Sequence, residues 1–333
     1  MNNTGINSTT SRAPLEGCSV AFDKQPCPAS DSGILILDKP EGMTSFKLTD
    51  RTRKLLNLTK AGHCGTLDPF ATGVLVVCVN QATRIADQLS LQDKLYQFTM
   101  RFGLETDSLD KTGHMVRAYD GPPIGKGELL GALGTFVGRY GQLVPRYAAV
   151  KVRGKRLYEL ARRGIEVDRP TREVEVHSLE LLDYRWPEAQ IKVHCSKGTY
   201  IRQLAADIGR VLNCGAHVSE LRRWASGPFD IATAIPLDEL ERMPQNGGWE
   251  TKLISMNDAL AHLPEVLIRD EMLLQNLYNG HLDPEWKTVS CNQLVSKRGP
   301  VRLVTAKKHL AALWWPECLQ NEGSKQRTLR VFK

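Results

Sequence analysis

The sequence predicts an α+β fold: a central sheet flanked by helices, with a small β-rich unit appended after it. Three observations carry this. The run Val74-Leu75-Val76-Val77-Cys78-Val79 is apolar at every position, so both faces of that strand should be covered. From Leu95 to Phe102 the pattern alternates, with Tyr96, Phe98, Met100 and Phe102 on one face and Gln97, Thr99 and Arg101 on the other, as in a half-buried strand. Strands and helices then follow one another irregularly, without the strict alternation of a doubly wound parallel sheet.

In chain order, residues 1–31 are rich in Asn, Ser, Thr and Pro and read as a flexible tail. A buried strand should begin at Gly33 and run through Leu37, followed by a turn at Pro40 and Gly42. Thr44 or Ser45 can cap a helix reaching about Leu58. The stretch GHCGTLDPFATG, residues 62–73, reads as a loop leading into the apolar strand. Gln81 to Leu89 and Lys126 to Val137 suit helices, the second weakened by Gly131 and Gly134. Val174 to Leu182 and Gln190 to Cys195 are strand candidates. Ile201, Leu204, Ala205, Ile208, Val211 and Leu212 recur at helical spacing, with Thr199 expected as N-cap and Asn213-Cys214-Gly215 as the stop. Residues 243–249 read as a loop. After about Leu267 the short apolar segments around Val289, Val301 to Val304 and Leu310 to Trp315 give the β-rich unit. The expected division is a tail over 1–31, a main domain over 32–266 and a small domain over 267–333.

The chain of 333 residues is 24% charged and 41% hydrophobic, enough for a large core. Its formal charge of +7 fits either simple solubility or a polyanionic partner. Eight cysteines, none in a C-x-x-C pair, argue against a zinc ribbon or a disulfide scaffold and fit reduced thiols. Cys64 follows His63 and Cys195 follows His194; strand neighbours point to opposite faces, so His194 and Cys195 should not form a catalytic dyad. The remaining histidines show no ligand spacing, and no metal is expected. No secretory signal is visible and the longest apolar run is too short to span a bilayer, so a cytoplasmic protein without membrane attachment is expected. A P-loop and a dinucleotide-binding glycine motif are both lacking, which disfavours a small-molecule nucleotide enzyme.

Asp68 admits two readings. Asp before Pro is a common turn. It is also a carboxylate held rigidly by Pro69, beside Gly62 and Gly65, at the entrance to a buried strand, where functional loops are usually found. Tyr96 is either a core aromatic or a site residue. Arg202 falls in the first turn of its helix, where the macrodipole disfavours a cation, so it needs an anionic partner such as a buried carboxylate or a phosphate. An Asp–Arg pair is one way to keep a nucleophile ionised in a dry site. The segment RYAAVKVRGKRLYELARR, residues 146–163, interleaves Lys151, Arg153 and Lys155 with tyrosines, as a nucleic-acid surface would, although a solvated helix face could look the same. A second basic run contains Arg302, Lys307, Lys308, Lys325, Arg327 and Arg330. Two basic regions favour a long polyanion.

The stretches GILILDKPEGMTS, KAGHCGTLDPFATGVLVV, KLYQFTMRFGLETDSLD, AVKVRGKRLYELARRG and CSKGTYIRQLAADIG occur in an order and spacing that resemble the TruB-type tRNA pseudouridine synthases, over about residues 33–230. The resemblance implies a pseudouridine synthase fold with a mixed, mainly antiparallel sheet and a PUA-like RNA-binding C-terminal domain. It implies isomerisation of uridine 55 in the T-arm stem-loop of tRNA, without cofactor or metal, by a protein expected to be a monomer. By motif, Asp68 would be catalytic, Tyr96 would stack on the base and remove a late proton, and Arg202 would pair with Asp68. Leu221 would wall the pocket, His63 would fill the place of the flipped base, and Lys39 and Pro40 would support Tyr96 and the active-site floor. Asp107 and Tyr200 would be further contacts. Asp68 would attack the sugar, attack the base or remove a ribose proton; all three remain open. Cys64 stands where the family often has Thr, Arg84 where it often has Lys, and Val144-Pro145-Arg146 replaces a Pro-rich turn. A non-catalytic RNA-folding protein with the same basic surfaces is the rival reading.

Overall fold

The computed structural model describes residues 32–243, 248–282, 299–316 and 329–332. The expected tail, the apolar segment around Val289 and most of the 243–249 loop lie outside the described residues.

The first strand, β1 (Gly33–Lys39), is buried along nearly its whole length, as its apolar run requires. Thr44 caps α1 (Ser45–Leu55), its hydroxyl accepting from the Lys47 amide at 3.1 Å. Next come β2 (Ala61–Cys64) and β3 (Thr72–Val79), the latter covered on both faces. The expected helix over 81–89 is instead a 3-10 turn at Asn80–Ile85 followed by the short α2 (Ala86–Ser90). Asn80 enters it at φ 51°, and its side chain is used to bind Thr59 and Lys60. The alternating strand is β4 (Lys94–Phe102), with Tyr96, Phe98, Met100 and Phe102 buried as the pattern predicts.

A hairpin of β5 (Leu104–Thr106) and β6 (Met115–Ala118) precedes α3 (Lys126–Gly134), which stops at the glycine rather than at Val137. Then follow β7 (Gly138–Leu143), the hairpin β8 (Lys151–Val152) with β9 (Lys155–Arg156), and α4 (Leu157–Arg162). The long β10 (Thr171–Arg185) and β11 (Glu188–Cys195) lead to α5 (Ile201–Val211). Tyr200, not Thr199, occupies the N-cap and makes no side-chain capping bond; the Thr199 hydroxyl is turned to the Ser196 carbonyl, to which it donates at 3.0 Å. The helix ends as expected, with Asn213 and Gly215 at positive φ and the Cys214 and Gly215 amides both donating to the Gly209 carbonyl.

The chain continues through β12 (Ala216–Ser226), β13 (Phe229–Asp230), β14 (Ile235–Pro236), α6 (Leu237–Arg242) and α7 (Met256–Ala259). The last elements are β15 (Glu265–Ile268), α8 (Glu271–Tyr278), β16 (Val301–Thr305), β17 (Leu310–Trp314) and β18 (Leu329–Val331).

The ten-stranded main sheet runs β14-β1-β3-β12-β4-β11-β10-β7, with β13 on β12 and β2 on β3. Only β1–β14 and β3–β12 are parallel within it, so it is mixed and mainly antiparallel. A separate four-stranded sheet, β15-β16-β17-β18, forms the small β unit and begins at Glu265. One core packs α3 and α5 against β4, β11 and β12. Another joins β1 and β3 to the small unit through Val304, Leu310, Leu313 and Trp315.

Where β3 meets β12, Gly73 has φ +101° and a Cβ there would lie 2.2 Å from the Arg223 carbonyl oxygen. The backbone on both sides is locked in the sheet. Gly73→Ala is therefore expected to destabilise the fold by about 3 kcal/mol or more, combining overpacking with a disfavoured φ. A urea melt measures this; a change below about 1 kcal/mol would show that the two strands can part.

Candidate active site

The loop between β2 and β3 carries Asp68, and three separate elements hold it. From α1, the Ser45 hydroxyl accepts from the Leu67 amide at 2.8 Å and donates to the Leu67 carbonyl at 3.1 Å. From the end of β1, the buried Lys39 ammonium donates to the carbonyls of Pro40 (2.8 Å), Met43 (2.6 Å) and Pro69 (3.2 Å). It thereby ties the Pro40 turn to the residue after Asp68, and the Gly42 amide adds a bond to the Pro69 carbonyl at 2.8 Å. Burial lowers the Lys39 ammonium to about 8, opposed by the Asp68 and Glu41 carboxylates. From β12, Arg223 donates to the carbonyls of Gly65 (3.0 Å) and Val74 (2.7 Å), one near each end of the loop.

The side chain of Asp68 meets Arg202. Arg202 Nε donates to Oδ2 at 2.8 Å and Nη2 to Oδ1 at 3.0 Å, a two-pronged pair. The rest of the guanidinium is also used. Nη1 donates to the Ser108 carbonyl at 2.8 Å and lies 3.6 Å from Asp110 Oδ2, while Nη2 reaches the Tyr147 carbonyl at 3.1 Å. Arg202 and Asp110 are buried, but the Asp68 side chain is 32% exposed, so the carboxylate keeps an open side. Asp110 is fixed in turn by the Ser108 hydroxyl and by the amide and hydroxyl of Thr112. The cation at the start of α5 thus has the anionic partner that its position demanded, twice over.

Leu67, Phe70 and Ala71, flanking Asp68, pack in one apolar cluster with Tyr96 and Leu221. Burial pushes the Tyr96 phenol above its ordinary range, and the hydrogen-bonded Arg223 pulls it back. A phenol so placed is neutral, offering a flat apolar face and one polar tip. His63 lies on β2, two residues before Gly65, rather than in a loop. Burial lowers its imidazole, and its Nδ1 is buried with no hydrogen-bond partner. Tyr200 exchanges backbone bonds with the Gln142 side chain at 2.8 and 3.1 Å, and burial raises its phenol. Asp107 accepts from the His114 amide at 2.8 Å and from the Tyr147 hydroxyl at 3.3 Å, so it reaches Arg202 only through Tyr147.

Lys151, Arg153 and Lys155 are exposed on the β8–β9 hairpin and make no bond to Asp68 or Arg202. Arg153 and Gly154 form its tip with φ 50° and 82°, the positive values a two-residue turn of this kind needs. In the second basic run Lys307 is exposed, and three other charges are engaged in pairs. Arg302 is buried on Asn257 and Glu265, Lys308 pairs with Glu265 at 2.6 Å, and Arg330 pairs with Asp87 at 2.9 Å. These charges tie the small unit together and to α2. Lys325 and Arg327 lie outside the described residues. Cys64 is buried with its sulfur 3.3 Å from that of Cys78, a packed thiol pair in which burial and mutual contact raise the Cys78 thiol.

Arg223, Asp110 and Ser108 escaped the sequence reading. The usable signal was strand periodicity: Arg223 stands two residues after Leu221 on β12, on the same face. Asp110 had only its Asp-rich turn to mark it.

Residues 53–201 match the TruB family pseudouridylate synthase N-terminal domain, and residues 202–263 match the tRNA pseudouridylate synthase B C-terminal domain. A tRNA pseudouridine synthase B of Syntrophobacter fumaroxidans is 55% identical over 302 residues, covering 91% of this chain and 98% of the relative. One of Bordetella pertussis is 49% identical over 233 residues, covering 69% and 94%. Among solved structures, a Cbf5-Nop10-Gar1 complex matches with TM-score 0.67 and 28% identity, covering 92% of this chain and 87% of that one. An H/ACA RNP bound to a substrate RNA containing 2'-deoxyuridine matches with TM-score 0.62 and 26% identity, covering 92% and 85%. With the Asp68 loop, Tyr96 and the Arg202 helix all inside the matched region, the chain belongs to the TruB family of tRNA pseudouridine synthases.

Proposed function

We propose that this enzyme isomerises uridine 55 in the T arm of tRNA, with Asp68 as its catalytic residue. Isomerisation of uridine to pseudouridine in tRNA is the activity of the family. The observation that carries the finer reading is the two-pronged Asp68–Arg202 pair, set against an apolar wall that contains Tyr96 and Leu221.

The reaction breaks the bond from N1 to the ribose carbon, turns the uracil, and joins C5 to the same carbon. A proton leaves C5 and one is gained at N1, so the reaction is redox-neutral and consumes no water. The target base must first leave its stack, at a cost of a few kcal/mol. His63 fills the vacated place. The extruded uracil lies between the Tyr96 ring and Leu221. Asp68, held by Arg202 with one side open, acts on the sugar, the base or the ribose proton. Tyr96 first gives up its phenol proton toward N1, as a phenolate that the nearby Arg223 charge stabilises, and then takes the late C5 proton and returns to the neutral phenol. Lys39 and Pro40 hold the floor, and Asp107 and Tyr200 position the Tyr147 and Gln142 segments around it. Lys151, Arg153 and Lys155 bind phosphates and so orient the stem.

The chain acts as a monomer in the cytoplasm. Among the described residues no helix is long and apolar enough to cross a membrane. We divide it into the tail 1–31, the catalytic domain 32–266 and a PUA-like RNA-binding domain 267–333; the separate second sheet supports a second unit, and its first strand, Glu265–Ile268, starts two residues before that boundary.

The test is incubation with an unmodified T-arm stem-loop, followed by mapping of pseudouridine. Product at position 55 is expected, and no product from the wild-type protein overturns the proposal. Charge reversal at Arg153 and Lys155 is expected to raise KM with little change in kcat. Loss of an RNA-folding activity without loss of pseudouridine formation would favour the rival, non-catalytic role for these residues.

A further inference from the structure

The sequence offers no metal-ligand spacing, yet the sheet brings three distant donors together. Asp93, His177 and His194 each present one ligand atom, and these atoms all lie within 4.8 Å of one another. His194 is on β11, with its side chain on the exposed side of that alternating strand. Its neighbour on β10 is displaced by an irregularity: Val176 pairs with Cys195 and Ser178 with His194, leaving His177 as the extra residue between them. A bulge of this kind re-aims a side chain. Here the His177 and His194 rings come to 4.7 Å between centroids, tilted by 51°. Asp93 precedes β4, and its backbone is fixed by the Gly227 amide, which donates to its carbonyl at 2.8 Å. Asp93 Oδ2 lies 3.2 Å from His177 Nε2 and 4.0 Å from His194 Nε2.

The surroundings go beyond an incidental ion pair. On the other side of His177, Glu175 Oε1 lies 4.0 Å from Nδ1, and Glu175 is itself held by Arg139 at 3.1 Å. A carboxylate behind the non-ligating nitrogen is the usual means of orienting a metal-bound imidazole. The donor side chains are between 30% and 47% exposed, so an ion can enter from solvent and keep water in its fourth position. Zinc with ligands at about 2.0–2.1 Å sets tetrahedral donors about 3.3 Å apart; Asp93 and His177 already stand at 3.2 Å, and the 4.0 Å between Asp93 and His194 must shorten on binding. Two imidazoles and one carboxylate suit Zn2+ or Ni2+ and not Mg2+ or Ca2+, which seek oxygen-rich sites.

We propose that Asp93, His177 and His194 form a surface site for one divalent transition-metal ion, with Glu175 orienting His177. The ion would clasp β10, β11 and the start of β4, the strand that carries Tyr96 three residues later. It would not take part in the uridine chemistry, because His194 faces away from the core that holds Val193 and Tyr96.

The experiment is a Zn2+ titration of the full chain, read by calorimetry and by imidazole 15N shifts. One ion should bind, shifting the nitrogens of both His177 and His194, and raise Tm. His177→Ala and His194→Ala should each weaken binding more than about tenfold, and Glu175→Gln by about tenfold, with the His177 Nδ1 resonance moved. Mg2+ should not compete. Equal tightness in the histidine variants, or unmoved imidazole resonances at saturation, overturns the proposal. All three substituted side chains are partly exposed, and the metal-free Tm values of the variants check that they fold.

Discussion

Asp68→Asn is expected to lower pseudouridine formation on the T-arm stem-loop by about ten-thousand-fold or more, the scale seen when a group forming the reacting bond or moving the key proton is lost. Asn has the same shape, so Leu67 stays pinned by Ser45 and the loop keeps its place. What changes is chemistry. The amide carries no charge, is neither base nor nucleophile, and turns an N–H toward one prong of Arg202. One of the two Arg202 contacts is lost, which should cost about 1–3 kcal/mol of stability and leave a folded protein. RNA binding should persist, because the residues proposed to face phosphates lie elsewhere. Single-turnover assays at saturating enzyme read the chemical step directly. Undiminished product would remove Asp68 from the mechanism.

Arg202→Lys should be nearly as damaging, by a different route. A lysine ammonium has three N–H groups and no fork, whereas Arg202 serves both oxygens of Asp68, the carbonyls of Ser108 and Tyr147, and Asp110. Arg202→Met takes the paired cation from two carboxylates, one of them almost fully buried, and should destabilise the fold by about 3–5 kcal/mol. Arg202→Lys should lose less stability but about a hundredfold or more in kcat, because Asp68 is no longer aimed. A urea melt and a single-turnover rate separate the two effects. Full activity in Arg202→Lys would show that charge alone suffices.

Much of this site was legible in the sequence because each clue was local and chemically odd. Arg202 sat at a helix start where a cation is unwelcome, and its partner proved to be the carboxylate that Pro69 stiffens. The alternation from Tyr96 to Phe102 gave the strand and its buried face directly. What stayed hidden depends on pairing between distant segments. β12 carries a buried His217 and a buried Arg223, and two register shifts against β4 break its alternation, so it does not look like a central strand. β2 has only four residues, one of them glycine, and is a strand only because β3 lies beside it. The 3-10 turn at Asn80 replaced a helix because the Asn80 side chain binds back to Thr59 and Lys60. The second basic run looked like an RNA surface by composition, yet its described arginines are used up in internal pairs.

Arg223 also bears on what RNA binding costs. It holds the carbonyls of Gly65 and Val74 while Ser45, Lys39 and Arg202 hold the residues between them, so the Asp68 loop is braced from within and from outside before any RNA arrives. Such a loop has little motion left to lose on binding. The ordering entropy is spent once, when the chain folds, and is not required again at each turnover. The rearrangement at each turnover then falls on the RNA, which must unstack its base to meet a carboxylate that waits in place. Amides of residues 65–74 should accordingly exchange hydrogen as slowly in the free enzyme as in the complex.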